Sequence, residues 1–303
     1  MISIIIPIGN SGEQAHGLLA GLKTQTVSGE VIIVDSSSSG VSDACGRWGA
    51  RVIRIRKEDF DHGGVRGMAA EEAKGDIVVF LTQDVLPVDE RSIENLLRPF
   101  EDASVGAAYG RQVPYPDASP FAAHLRLFNY PKASCLRSKA DKEEFRIKTP
   151  FLSDAFSAYR RTALIRVGGF KRRLILGEDT YAGAKLLLAD YKIAYAADAA
   201  VYHSHNYTAV QEFKRYFDIG VFHKTEEWIL EEFGRAEGEG VAYVRSAAAY
   251  LMSEGRYLLI PELAVRTALK LAGYNLGRMY EKLPLSLIKK MSMHRDWWEK
   301  ERT

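Results

Sequence analysis

The residues of this chain best placed to do chemistry are acids that follow apolar runs, with glycines, an arginine and histidines near them. Asp35 closes the run Val31-Ile32-Ile33-Val34 and opens a serine-rich stretch. A carboxylate there accepts the imide N–H of uracil or thymine, or binds a ribose hydroxyl; as a helix cap it would only satisfy backbone amides. Asp84 stands in Thr82-Gln83-Asp84, directly after Ile77–Leu81, where an acid can hold a divalent cation against two phosphates. Glu178-Asp179 opens the helical segment 181–188. Paired acids complement a helix dipole, and one of them beside a substrate hydroxyl is a general base. Asp61-His62-Gly63-Gly64-Val65-Arg66 offers backbone amides to an anion and places a cation in a first helical turn. That arginine suits either an anionic ligand or a salt bridge. His203 and His205 alternate along an extended segment, which puts at most one of them in a site, and no HExxH zinc motif is present.

These residues need a scaffold that brings them together. Ile2–Ile6, 31–34, 51–55 and 76–81 read as buried strands, with helices near 13–25, 42–48 and 65–73 between them. That β-α-β order predicts an α/β, mostly parallel, doubly wound sheet, whose ligands sit at the carboxyl ends of the strands. A helix near 121–130, loops at 114–117 and 139–148, and a strand at 155–160 follow. From Ala209 the pattern is helical, broken at 234–240, Pro261 and Pro284. The division expected is therefore 1–207 and 208–303.

Composition narrows the partners. Of 303 residues, 41 are Lys or Arg and 39 Asp or Glu, a net charge of +2 that argues against a general nucleic-acid binder. Hydrophobic residues at 47% mark a globular protein rather than a disordered one. Cys45 and Cys135 lack CxxC spacing, no apolar run spans a bilayer, and Met1 leads straight into Ile2 without a basic leader. A cytoplasmic protein is expected. Leu283–Met291 mixes apolar and basic residues before Trp297-Trp298, which suits an anionic membrane face, self-association or plain packing.

Taken in order, the segments resemble the inverting nucleotide-sugar glycosyltransferases of family 2, with a GT-A fold, over residues 1–207. Ile4-Ile5-Ile6-Pro7-Ile8-Gly9-Asn10 resembles the opening strand and Pro-x-x-Asn turn, and Val34-Asp35-Ser36 the Val-Asp-Asp segment. Thr82-Gln83-Asp84 falls on the Asp-x-Asp metal motif with threonine for the first acid, and Glu178-Asp179 on the Glu-Asp motif. The resemblance implies that Pro7, Gly9, Asn10, Asp35, Arg66 and Gln83 bind the donor, and that Asp84 with His203 holds Mn²⁺ or Mg²⁺. It implies Asp179 as base, with Glu178 as runner-up and Asp154 reaching the acceptor.

Asp61-His62-Gly63-Gly64-x-Arg66, Phe80–Asp84 and His203-Ser204-His205-x-Tyr207 resemble the rhamnosyltransferase branch. That implies dTDP-L-rhamnose as donor, a UDP-sugar next, and a glycan or lipid-linked acceptor in surface-polysaccharide synthesis. Residues 208–303 would then meet the acceptor, a second copy or the inner face of the membrane. A nucleotidyltransferase lacks its basic glycine-rich loop here; a non-catalytic sugar-nucleotide binder is the other alternative.

Overall fold

The computed structural model describes residues 1–9, 12–37, 49–235 and 238–301. Its centre is one nine-stranded sheet: β1 (Ile2–Ile8), β2 (Glu30–Asp35), β3 (Arg51–Arg54), β4 (Ile77–Leu81), β5 (Leu86–Pro87), β6 (Val105–Val113), β7 (Cys135–Arg137), β8 (Phe156–Arg160) and β9 (Lys192–Tyr202). The order is β3-β2-β1-β4-β8-β6-β9, with β5 and β7 both paired to β9. β1 to β4, β6 and β9 run one way; β5, β7 and β8 run against them. The expected α/β sheet is there, with one departure: antiparallel β8 is inserted between β4 and β6.

The continuous β-branched runs follow from burial on both faces. Ile5, Ile32, Val34, Val78 and Phe80 point into one apolar layer, and Ile4, Ile6, Ile33, Val79 and Leu81 into the other. The helix Gly12–Lys23 covers the second layer through Leu18 and Leu19. The first layer carries the helices His62–Glu72 and Glu178–Leu188, and it also takes Phe217, Val221, Phe222, Ile288, Met291 and Trp298 from the C-terminal part. Element type changes at 207, but the apolar core runs across that point. Ile288 and Trp298 of the C-terminal amphipathic segment and its neighbour lie fully within it, whereas Leu287 stays exposed. No helix among the described residues is long and apolar enough to cross a membrane.

The helices Ala209–Thr225 and Ile260–Arg278 cross closely enough that a Cβ on Gly273 would strike the Phe213 carbonyl. Buried Glu212 joins them by pairing with Arg266 at 3.2 Å and Lys270 at 3.3 Å. The last turns are tied back by Asp218, which accepts the Met293 N–H at 2.9 Å.

Candidate active site

Because six strands share one direction, their carboxyl ends lie along one edge of the sheet. Gly9 follows β1 there, Asp35 ends β2, Thr82-Gln83-Asp84 follows β4, Gln112 is next to last in β6, and His203 follows β9. Antiparallel β8 begins at the same edge, which brings Asp154 to it. Thr82 N–H donates to Ala155 O at 3.2 Å and stitches the two strand ends together.

On the donor side, Pro7 lies within β1 opposite Val34. Gly9 N–H donates to Gln83 Oε1 at 3.0 Å, tying the β1 turn to the β4 turn. Asp35 is buried and its Oδ1 accepts the Ser37 N–H at 2.8 Å, while Ser36 donates through N and Oγ to Ile8 O. Asn10 and Cys45, and the helix expected at 42–48, lie outside the described residues.

Asp84 meets two histidines. His203 Nε2 is 3.3 Å and His205 Nε2 3.6 Å from Asp84 Oδ2, and the three ligand atoms lie within 4.8 Å of one another. The expectation that at most one histidine reaches the site fails, because the backbone leaves the sheet after Tyr202 and strict alternation ends with it. His203 Nδ1 lies 2.8 Å from Gln112 Oε1. With that nitrogen donating, Nε2 turns a lone pair toward Asp84. Burial pushes the His203 pKa down, and it pushes His205 down to about 4, with His203 adding to the effect. With Nδ1 of His203 donating to Gln112, its Nε2 lone pair converges with the His205 ring and the Asp84 carboxylate, an arrangement that a divalent cation completes. Two nitrogens and a carboxylate suit Mn²⁺ at least as well as Mg²⁺. Arg126 Nε donates to His203 O at 3.0 Å, and Arg215 lies 6.0 Å over the Tyr207 ring, which stacks on His205. A cleft of about 490 Å³ opens at Asp84 and His205 and runs between Tyr115, Asp117 and Asn206.

The second cluster surrounds Glu178-Asp179. Arg66 is buried between two acids: Nη1 donates to Glu178 Oε1, and Nε lies 3.4 Å from Asp154 Oδ2 as an ion pair without a hydrogen bond. The arginine expected at the donor is therefore the counter-ion of the acid cluster. Asp154 is 2% exposed, and its Oδ1 accepts from Ser157 Oγ at 2.6 Å and Tyr159 Oη at 2.7 Å, so it anchors the cluster from within the core. The glycines expected to cradle phosphate are used locally. Asp61 caps the Gly64 N–H at 2.9 Å, and a Cβ on Gly63 would strike the Lys171 carbonyl.

The two neighbouring acids separate in character. Burial opposes ionisation of Glu178, but Arg66 and His62 outweigh it and hold its pKa below the ordinary value. At Asp179 the lowering influence of Arg66 is the smallest of those acting on it. Burial, then the charges of Glu178 and Asp154, push it up to about 7, although Thr180 N–H donates to its Oδ1 at 2.7 Å. Among the described residues, its other oxygen receives only the Asp154 N–H, at 3.3 Å. A half-buried carboxylate titrating near neutrality is tuned as a general base. Gly177 makes the approach possible, with φ of 83° at the helix cap and the Phe222 ring 2.8 Å from where a Cβ would lie. Gly177→Ala should therefore lower stability by about 2–4 kcal/mol, from backbone strain plus overpacking. A urea midpoint unchanged from wild type would contradict the crowding.

Gln112, Ser153, Arg126 and Arg215 carry no site signal in the sequence, and His205 was weighed there only as the alternative to His203. The period-two spacing His203-x-His205-x-Tyr207 was the available signal for His205; the others become neighbours only through β6 and the long-range packing.

The comparisons agree with this geometry. The model of glycosyl transferase family 2 matches residues 3–168, more than half the chain. The O-antigen chain rhamnosyltransferase RfbN of Salmonella typhimurium is 42% identical over 301 residues, spanning 98% of this chain and 96% of that protein. WbaN of Salmonella anatum, also an O-antigen chain rhamnosyltransferase, is 41% identical over 303 residues, spanning 98% and 95%. Among solved structures, the mannosyltransferase PcManGT from Pyrobaculum calidifontis, in complex with GDP-Man and Mn²⁺, superposes with a TM-score of 0.65 at 18% identity over 93% of this chain and 88% of that one. S. aureus TarS 1-349 in complex with UDP-GlcNAc gives 0.54 at 15% identity, over 93% and 91%. A GT-A sheet with an acid–histidine cluster and a tuned acid at its carboxyl edge, together with near-full-length similarity to family members, shows that the chain belongs to glycosyl transferase family 2 and is a glycosyltransferase.

Proposed function

We propose that the protein transfers L-rhamnose from dTDP-L-rhamnose, with inversion, to a growing O-antigen-type glycan carried free or on a lipid. The observation that carries the sugar assignment is the 42% identity to an O-antigen chain rhamnosyltransferase over 98% of the chain, helices after 207 included. The reaction follows from Asp179. Its carboxylate takes the proton of an acceptor hydroxyl as that oxygen forms a bond to the anomeric carbon. The bond from that carbon to the diphosphate oxygen breaks on the opposite face, so configuration inverts. Asp35 receives the thymine imide or ribose, and Pro7, Gly9, Asn10 and Gln83 shape the donor cleft. Asp84, His203 and His205 are the residues to hold Mn²⁺ or Mg²⁺, which when bound supplies positive charge against the donor diphosphate. Arg66 and Asp154 act through Glu178 and Asp179 rather than on substrate.

The direct assay is acceptor-dependent release of dTDP from dTDP-L-rhamnose, with UDP- and GDP-sugars as competitors. Turnover with those competitors and none with the dTDP donor would overturn the sugar assignment. Asp84→Ala is expected to weaken Mn²⁺-dependent donor binding by about 100-fold or more, the scale of losing one charged partner from a buried site. Calorimetric titrations that coincide with and without Mn²⁺ in the wild type would remove Asp84 from that role.

A further inference from the structure

We propose that Gln112 is a positioning residue for the cation site, holding His203 in the tautomer that leaves Nε2 free, with Ser153 holding the Gln112 amide in turn. This rests on the reading of Asp84, His203 and His205 as cation ligands. Gln112 is 2% exposed, so no solvent competes for its amide. Its Oε1 lies 2.8 Å from His203 Nδ1, and its Nε2 donates to Ser153 Oγ at 2.8 Å. The backbone reinforces the clamp: His203 N–H donates to Val113 O at 2.9 Å, so adjacent residues of β6 grip both the main chain and the ring of His203.

The orientation of this amide decides what His203 can do. With Oε1 toward the ring, Nδ1 carries the hydrogen and Nε2 faces Asp84 as a lone pair. With the amide reversed, its NH₂ would meet Nδ1, the hydrogen would move to Nε2, and the ring would donate to Asp84 instead of binding a cation. A partner on the far nitrogen is what fixes ligand histidines in metal sites, and its loss weakens metal binding by about 10–100-fold. Ser153 also precedes Asp154, whose N–H reaches Asp179 at 3.3 Å, so the same short segment supports the cation cluster and the base.

The test uses the full chain, Mn²⁺ titrated while free Mn²⁺ is followed by electron paramagnetic resonance, and ¹⁵N-histidine NMR of the metal-free protein with His203→Gln to assign the signal. Gln112→Met, which removes the acceptor, is expected to weaken Mn²⁺ binding about 10–100-fold and to move the His203 hydrogen to Nε2. Gln112→Glu keeps an acceptor and is expected to hold affinity within about threefold, with the hydrogen still on Nδ1. Ser153→Ala, a milder change that spares the core, frees the amide to turn and yields mixed tautomers. Wild-type affinity and tautomer in Gln112→Met overturn the proposal; should that variant not fold, an unmixed Nδ1–H signal in Ser153→Ala overturns it. If Asp84→Asn and wild type bind Mn²⁺ equally, it is the cation reading that falls, while the tautomer measurement in the metal-free chain still decides the role of Gln112.

Discussion

Asp179→Asn is expected to lower kcat by at least about 10³-fold, because loss of a positioned base removes both the proton acceptor and its orientation. Donor affinity should stay within about threefold of wild type, since no donor-side contact involves this residue. Stability should move the other way. The folded carboxyl titrates near 7 and an unfolded one near its ordinary value, so between those limits the folded state binds the extra proton. Stability contributed by that proton is present at low pH and lost as pH rises toward 7. Asparagine carries no charge to desolvate, and at neutral pH the variant should melt a few degrees higher, about 2–5 °C. An inactive, better-folded protein is the signature of a strained functional acid. A variant that loses activity and melts lower would make Asp179 structural.

Arg66→Met is expected to have the largest effect on stability. Glu178 and Asp154 are both buried, and Arg66 is the cation between them. Removing one partner of a buried charge cluster costs about 3–5 kcal/mol, because the remaining charges keep their desolvation penalty. Arg66→Lys keeps the charge but cannot reach two acids from two nitrogens in one plane, and should cost about 1–2 kcal/mol. Any activity that survives should shift to higher pH, since the arginine lowers the Asp179 pKa against burial and the neighbouring acids. Denaturant midpoints and kcat–pH curves for the two variants measure both effects. Wild-type stability for Arg66→Met would contradict the pairing.

The parallel half of the sheet was legible because buried parallel strands are written as β-branched runs ending in punctuation: Ile2–Ile6 into Pro7 (the strand itself runs on to Ile8), Val31–Val34 into Asp35, Ile77–Leu81 into Thr82. β9 was not, since Lys192–Tyr202 is rich in alanine, whose local preference is helical. Burial between β6 and the outer strands overrides that preference. β6 was missed for the same reason, with Gly106 set against Tyr191 and Gly110 against Phe156. The acids of the site were visible as strand-end and helix-start residues. Their division of labour was not, because Asp154 and Arg66 lie far from Glu178 in sequence and only the insertion of antiparallel β8 brings them together. The phosphate reading of Gly63-Gly64 failed because the sequence carries no sign that the 171–173 segment lies over that helix start.

The dependence of kcat on pH, measured at saturating dTDP-L-rhamnose and acceptor, tests most directly the claim that Asp179 is a base tuned by its neighbours. Glu178, Asp154 and Arg66 all act on it electrostatically. Because the working form is the carboxylate, kcat should rise tenfold per pH unit at low pH and level off around 7, and the residual rate of Asp179→Asn should lack that limb. A wild-type rate independent of pH from about 5 to 8, or the same acid limb in Asp179→Asn, would contradict the assignment.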